Sequence, residues 1–343
     1  MNFDFFDLLG INQLLEWGKE VIGIKKEQDT TAQKEVYHSE QITPKKYSFR
    51  PQTLSQYIGQ ARAKELININ LEKVRTIKPV HFIISGSKGT GKSTLAYIIA
   101  NELNLEISTY VAGSFTQDNL IQFLSKNQDA VNPQILFVDE IHGLEKSLGE
   151  FMYPLLEDFL LPVGNIKVRP FIFIGATTDK NILQKRLAPL IDRCQSVNLE
   201  HYSAEDIKAI LKQYNDQLYK LNIEEKDYDL LAVNTRYTPR IAINYFDDFV
   251  IVKNMDKVLS AHQVIKNSLT IEDLIVLNHL AEINKPVGAE VLAIITQQTK
   301  ADYLYLQESF LISEGYVNRT ARGRGITEKG KTILQGLKNG NLY

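Results

Sequence analysis

Apolar positions in this chain form short unbroken runs separated by stretches in which apolar residues recur every three or four positions. Val80-His-Phe-Ile-Ile-Ser85, Ile135-Leu-Phe-Val138 and Phe171-Ile-Phe-Ile174 are the unbroken runs, and runs of that length read as buried strands. Glu106 to Val111 is a further strand. Between the strands, Ala61 to about Ile77, Ser93 to Leu103 and Asp118 to Ser125 read as helices. Ahead of them, Ser48 to Gln60 reads as an extended Arg-Pro segment closing in a turn at Gly59. Past residue 200, Ile207, Ile210, Leu211, Tyr214 and Leu218 fall at helical spacing, with Ser203 as N-cap and Asp206 at the third helical position. From Thr270 the pattern changes to three short helical segments and then two strand-like pieces around an arginine-rich turn.

The first 46 residues follow a different pattern. Phe3, Phe5, Phe6, Leu8, Leu9, Leu14, Leu15 and Trp17 are interrupted by Asp4, Asp7, Glu16 and Glu20. A secretory signal would open on basic residues and keep an uninterrupted apolar middle, so an amphipathic helix broken near Gly10 is expected over 1–24. It either packs on the chain's own core or docks a protein partner. Residues 25–46 are polar and read as a linker.

Composition narrows the class. The chain has 343 residues, 44% of them hydrophobic and 23% charged, with a net charge of −2. That fits a globular protein of two or three domains and excludes an overall basic field, so any nucleic-acid surface must be local. The single cysteine, Cys194, excludes an internal disulfide and a cysteine-based zinc site. This fits a reducing, cytoplasmic location. No apolar run approaches the roughly 18 residues of a transmembrane segment.

Chemistry is concentrated at three strand ends. Gly86-Ser-Lys-Gly-Thr-Gly-Lys92-Ser93 is G-x-x-x-x-G-K-S, set between a strand and a helix. Its glycines are expected to take positive φ so that amide N–H groups turn inward around phosphate, with Lys92 adding a point charge and the Ser93 hydroxyl suited to Mg²⁺. Asp139 and Glu140 end the second run, where ligands sit in an open α/β sheet. Asp139 is placed to hold Mg²⁺ through water and Glu140 to orient the water that attacks phosphate, with His142 a hydrogen-bonded neighbour. The third run ends in Thr177 and Thr178, hydroxyls within reach of a γ-phosphate or the attacking water.

These motifs, with Gly59-Gln60, Gly175-Ala-Thr-Thr178, Pro189-Leu-Ile-Asp-Arg193-Cys194 and Tyr237-Thr-Pro-Arg240-Ile-Ala, come in the order of the AAA+ ATPases. From about Arg50 to Leu337 the chain resembles the RuvB family, motors of Holliday-junction branch migration in recombination and repair. The resemblance implies an α/β AAA+ core with a parallel sheet, an all-α lid and a C-terminal winged-helix domain. The expected boundaries are 47–202, 203–267 and 268–343. It implies ATP bound through Arg50, Ile58, Gly86, Gly89, Thr90, Gly91, Lys92, Ser93, Thr94, Tyr202, Pro239 and Arg240, with Ile58, Tyr202 and Pro239 around adenine. Arg240 would sense the γ-phosphate, and Arg193 would reach the ATP site of the next subunit, which implies a homo-oligomeric ring, a hexamer by the resemblance. Arg319, Arg322 and Arg324 match the family's DNA-binding wing, extended by Lys329, Lys331 and Lys338, for duplex or junction DNA.

Two departures bear on partners. RuvB proteins carry a long β-hairpin that docks RuvA before the third strand, and 156–171 leaves only a short turn around Gly164-Asn165. This places a RuvA-type partner in doubt. Cys194 stands where the family usually has phenylalanine. The expected function is an ATP-driven, hexameric DNA translocase. An ATP-dependent loader or remodeller docked through residues 1–24 is the alternative, and a nucleotide-gated scaffold the third reading.

Overall fold

The computed structural model describes residues 49–164 and 166–338; the amphipathic helix and linker expected over 1–46 lie outside the described residues. The described chain divides into two compact units, one of 49–218 with 238–240 and one of 219–237 with 241–338.

The first unit is built on five parallel strands, β1 (His81–Ser85), β2 (Ile107–Val111), β3 (Ile135–Asp139), β4 (Ile172–Thr177) and β5 (Cys194–Asn198). Their order is β2-β3-β4-β1-β5. β1 and β4 are buried along their whole length, because helices cover both faces of a parallel sheet. β2 lies at the edge and stays partly exposed. One apolar core, with Phe82, Ile84, Leu95 and Ile98, lies on one face. The other, with Phe123, Leu136, Met152 and Phe173, lies on the opposite face. At this junction His81 is buried, its Nδ1 accepting from the Phe173 amide and its Nε2–H donating to the Leu156 carbonyl. Burial without an anion lowers its pKa to about 4.

The helices of this unit are α1 (Ala61–Thr76), α2 (Lys92–Leu103), α3 (Gln117–Asp129), α4 (Lys146–Glu157), α5 (Lys180–Asp192) and α6 (Ala204–Leu218). Ser203 and Asp206 exchange the bonds of a capping box at the start of α6. Asp179 caps α5 by accepting from the Ile182 amide at 2.8 Å. The helix kinks at Leu187 (φ −137°, ψ 42°) just ahead of Pro189, whose ring excludes the preceding turn from regular geometry. Between α4 and β4 the chain makes an isolated bridge, Leu160 with Lys167, with no strand among the described residues.

The second unit contains α7 (Glu225–Asn234), most of α8 (Pro239–Val252), α9 (Met255–Ala261) and a short hairpin of β6 (Val264–Lys266) and β7 (Leu269–Thr270). A winged helix follows: α10 (Ile271–Ile283), α11 (Ala289–Ile295), and a continuous helix α12 over 300–313 that contains a π-helical turn, Tyr303–Glu308. The wing is β8 (Val317–Thr320) and β9 (Gly323–Ile326), extended by a bridge from Val287 to Arg324. Gly323 (φ 140°) permits that bridge, since a Cβ there would lie 2.5 Å from the Val287 carbonyl oxygen. A closing helix, α13 (Glu328–Lys338), which the sequence pattern did not announce, seals the core around Tyr303, Leu311 and Leu334.

Candidate nucleotide site and nucleic-acid wing

The strands β1, β3 and β4 bring their C-terminal ends to one edge of the first unit, and the loop 86–91 joins β1 to α2 there. Gly89 (φ 84°) and Gly91 (φ 95°) take the left-handed backbone that the nest requires. Gly86 does not, and the expectation of positive φ at all three glycines is corrected. Its glycine serves close approach instead: a Cβ would meet the Leu199 Cβ at 2.9 Å and the Thr90 Oγ1 at 3.0 Å.

Lys92 opens α2 with its side chain folded back over the loop, Nζ donating to the Gly86 and Ser87 carbonyls at 2.9 Å each. Burial lowers its pKa, and the carboxylates of Glu140 and Asp139 oppose that shift. Ser93 Oγ donates to Asp139 Oδ2 at 3.0 Å. A hydroxyl and a carboxylate in contact are hard oxygen ligands of the kind Mg²⁺ takes beside phosphates. The donor set therefore fits the ion, with Ser93 and Asp139 to hold it. Thr90 is buried and donates to the Ser87 carbonyl at 2.8 Å; Thr94 is half-buried in the first turn of α2.

Glu140 takes a left-handed backbone (φ 50°) directly after β3. Its Oε2 accepts from the Thr178 amide at 3.2 Å and the Thr178 hydroxyl at 2.9 Å, with His142 Nδ1 at 3.3 Å. His142 also lies 3.1 Å from the Thr177 hydroxyl. The carboxylate that would orient water is thus held by the ends of β3 and β4 together, which fixes its direction.

Arg240 is exposed, with its Cβ 3.2 Å from the position a Cβ on Gly89 would occupy. Pro239 and Ile58 are half-buried and Tyr202 is buried. Tyr202 donates to the Thr90 carbonyl at 3.0 Å, and Tyr57, a residue the sequence did not single out, donates to the same carbonyl at 3.3 Å. Burial raises both phenol pKa values, so the pair acts as hydrogen-bond donors under the loop. Gln60 locks Glu200 through both backbone groups, at 2.8 and 2.9 Å. Arg50 is exposed, and its carbonyl accepts from the Gln52 side-chain amide at 2.9 Å.

Arg193 closes α5 away from this cluster. It donates from Nε to Glu157 at 2.9 Å, from a terminal nitrogen to the Pro189 carbonyl at 2.7 Å and from the other to Glu157, and stacks over Tyr153 at 5.4 Å. Arg319 and Arg324 lie opposite each other on β8 and β9, both bound to Glu308, and Arg322 lies exposed on the turn between the strands. Lys329 stacks on Tyr316 at 4.9 Å and Lys331 pairs with Glu328 at 2.8 Å.

Comparison with known proteins matches both parts of the chain. The family model for the Holliday junction DNA helicase RuvB P-loop domain matches residues 49–199, and that for the RuvB C-terminal winged helix domain matches residues 266–335. The chain is 32% identical over 317 residues to the Holliday junction branch migration complex subunit RuvB of Mycoplasmopsis pulmonis, covering 85% of this chain and 99% of that one. It is 33% identical over 313 residues to the subunit of the same name in Acholeplasma laidlawii, covering 83% and 90%. Among solved structures, the Thermotoga maritima RuvB Holliday junction branch migration motor superposes with a TM-score of 0.71 at 30% identity, covering 83% of this chain and 98% of that one.

Proposed function

The chain belongs to the RuvB family of AAA+ ATPases, and we propose that it is an ATP-driven motor that moves duplex DNA and drives branch migration of Holliday junctions. The observation that carries this reading is the conjunction, in one chain, of an ATPase edge whose loop, acids and hydroxyls converge with a winged helix carrying an arginine tip.

In this reading the amides of 86–93 and the Lys92 ammonium bind the phosphates of ATP. Ser93 and Asp139 would hold Mg²⁺, which would supply positive charge to the phosphate oxygens. Glu140, steadied by the Thr178 amide, orients the attacking water, and the Thr178 hydroxyl turns from that carboxylate to the γ-phosphate or the attacking water. Arg240 contacts the γ-phosphate from its own chain. Arg193 stabilises transition-state charge in a neighbouring subunit, which requires it to leave Glu157 and requires a ring, with six subunits implied by the family. Ile58, Tyr202 and Pro239 border adenine, and Arg50, Thr90 and Thr94 complete the nucleotide contacts. The lid is assigned to 203–267 between the core, 47–202, and the DNA-binding domain, 268–343. The protein is placed in the cytoplasm, which suits a chain whose single cysteine, Cys194, is a half-buried free thiol.

A second reading has one observation in its favour. The bridge at Leu160 and Lys167 leaves no long hairpin among the described residues for a RuvA-type partner. A loader or remodeller that docks its partner through residues 1–24 fits that loss. ATP hydrolysis separates the two, measured without DNA, with linear duplex and with a four-way junction, for the whole chain and for a 1–46 deletion. The motor reading expects DNA to raise turnover in both proteins. Turnover indifferent to DNA but changed by the deletion favours the loader.

A further inference from the structure

Arg319 and Arg324 are direct cross-strand partners in the β8–β9 hairpin. Guanidinium groups placed opposite each other repel, so such a hairpin needs an anion beneath it. Glu308 supplies one. It ends the π-helical turn Tyr303–Glu308, and its side chain is only 1% exposed. Oε1 accepts from Arg319 Nε at 2.9 Å and from an Arg324 terminal nitrogen at 3.1 Å. Oε2 accepts from Arg324 Nε at 2.8 Å, and a terminal nitrogen of Arg319 adds a further bond to Oε1. A π turn inside a helix is frequent at functional sites; here it carries the residue that grips the wing.

The three arginines are left in unequal positions. The Arg324 side chain is 16% exposed and committed to Glu308 through two nitrogens. Arg319 is more open but holds the same carboxylate. Arg322, on the two-residue turn, is exposed and has no ion-pair partner among the described residues. Moving either strand arginine to a phosphate would strip a partner from a buried carboxylate, which is costly. Moving Arg322 breaks nothing.

We infer that Glu308 is a positioning residue of the wing: it fixes Arg319 and Arg324 as the hairpin's framework and leaves Arg322 as the cation set against a DNA phosphate. The second half rests on the motor reading above; the first does not. Two measurements on the full chain test the halves separately. The first is modification of the DNA-free protein by phenylglyoxal, mapped by mass spectrometry. Arg322 should react well ahead of Arg324, and Glu308→Gln should bring Arg324 towards the Arg322 rate. Equal rates in the unaltered protein would overturn the hold of Glu308 without any variant having to fold. The second is duplex binding across a salt series. Arg322→Ala should lower the slope of log K against log salt by about 0.9, one phosphate contact, and Arg319→Ala by less than half of that. A loss from Arg319→Ala equal to that from Arg322→Ala overturns the assignment of the contact to Arg322. Failure to bind duplex at any salt, with the modification pattern intact, removes the motor reading while upholding the framework role.

Discussion

Lys92 and the strand arginines of the wing are cations set where phosphate is expected, but their resting partners differ in kind. The Lys92 ammonium lies 2.9 Å from two neutral carbonyl oxygens, whereas Arg319 and Arg324 share one buried carboxylate. A neutral acceptor satisfies the donor and leaves the charge uncancelled, so Lys92 can turn to an arriving phosphate at the cost of ordinary hydrogen bonds. A buried carboxylate cancels charge and resists losing its partners. Arg193 lies between these limits: its partner Glu157 is an anion, but the Glu157 side chain is 56% exposed, where water screens the pair and loosens it. The partner of a cation therefore says whether it is ready to bind, part of the frame, or able to change place.

The largest expected effect falls on the changeable cation. Arg193→Ala should lower ATP turnover by about 10³-fold or more if the side chain completes a neighbour's site. Mixing it with subunits that keep Arg193 but lack Glu140 should restore part of the turnover. A loss without rescue would confine Arg193 to its contacts with Glu157 and Tyr153. Next comes the ready cation. Lys92→Ala removes charge-assisted bonds to phosphate and should weaken nucleotide affinity by ~10-fold to 100-fold, as read by titration with a fluorescent ATP analogue. Unchanged affinity would mean that the carbonyl contacts are the whole role of Lys92. The smallest effect belongs to Glu157→Ala. Because Glu157 is largely exposed, the fold should lose less than about 1 kcal/mol in a denaturant melt, while turnover holds or rises. A collapse of turnover would show that Glu157 positions Arg193 for its work.

How far these features could be read from sequence depends on how local they are. The phosphate loop, the acids after β3 and the hydroxyls after β4 are encoded within a few consecutive residues, and apolar runs mark the strands that carry them. The role of Gly86 was not visible, because motif spacing cannot tell a glycine that needs positive φ from one that makes room for Leu199. Tyr57 under the loop, the hold of Glu157 on Arg193 and the grip of Glu308 on the wing are contacts between residues separated in sequence by 33, 36 and 11 to 16 positions. No periodicity records them. The kink at Leu187 had a local signal in Pro189. The π turn had none, since its apolar spacing is that of the helix around it.

The central claim is that ATP hydrolysis at this site moves DNA. The most direct test is strand separation of a synthetic four-way junction into two duplexes, followed with ATP and Mg²⁺, for the whole chain and for Glu140→Gln. The account predicts ATP-dependent separation by the unaltered protein. In the Glu140→Gln variant, nucleotide binding should be kept and separation should fall by about 10²-fold or more, with the loss of an oriented water. Vigorous ATP hydrolysis with no movement of the junction, alone or with a RuvA-type protein present, would contradict it.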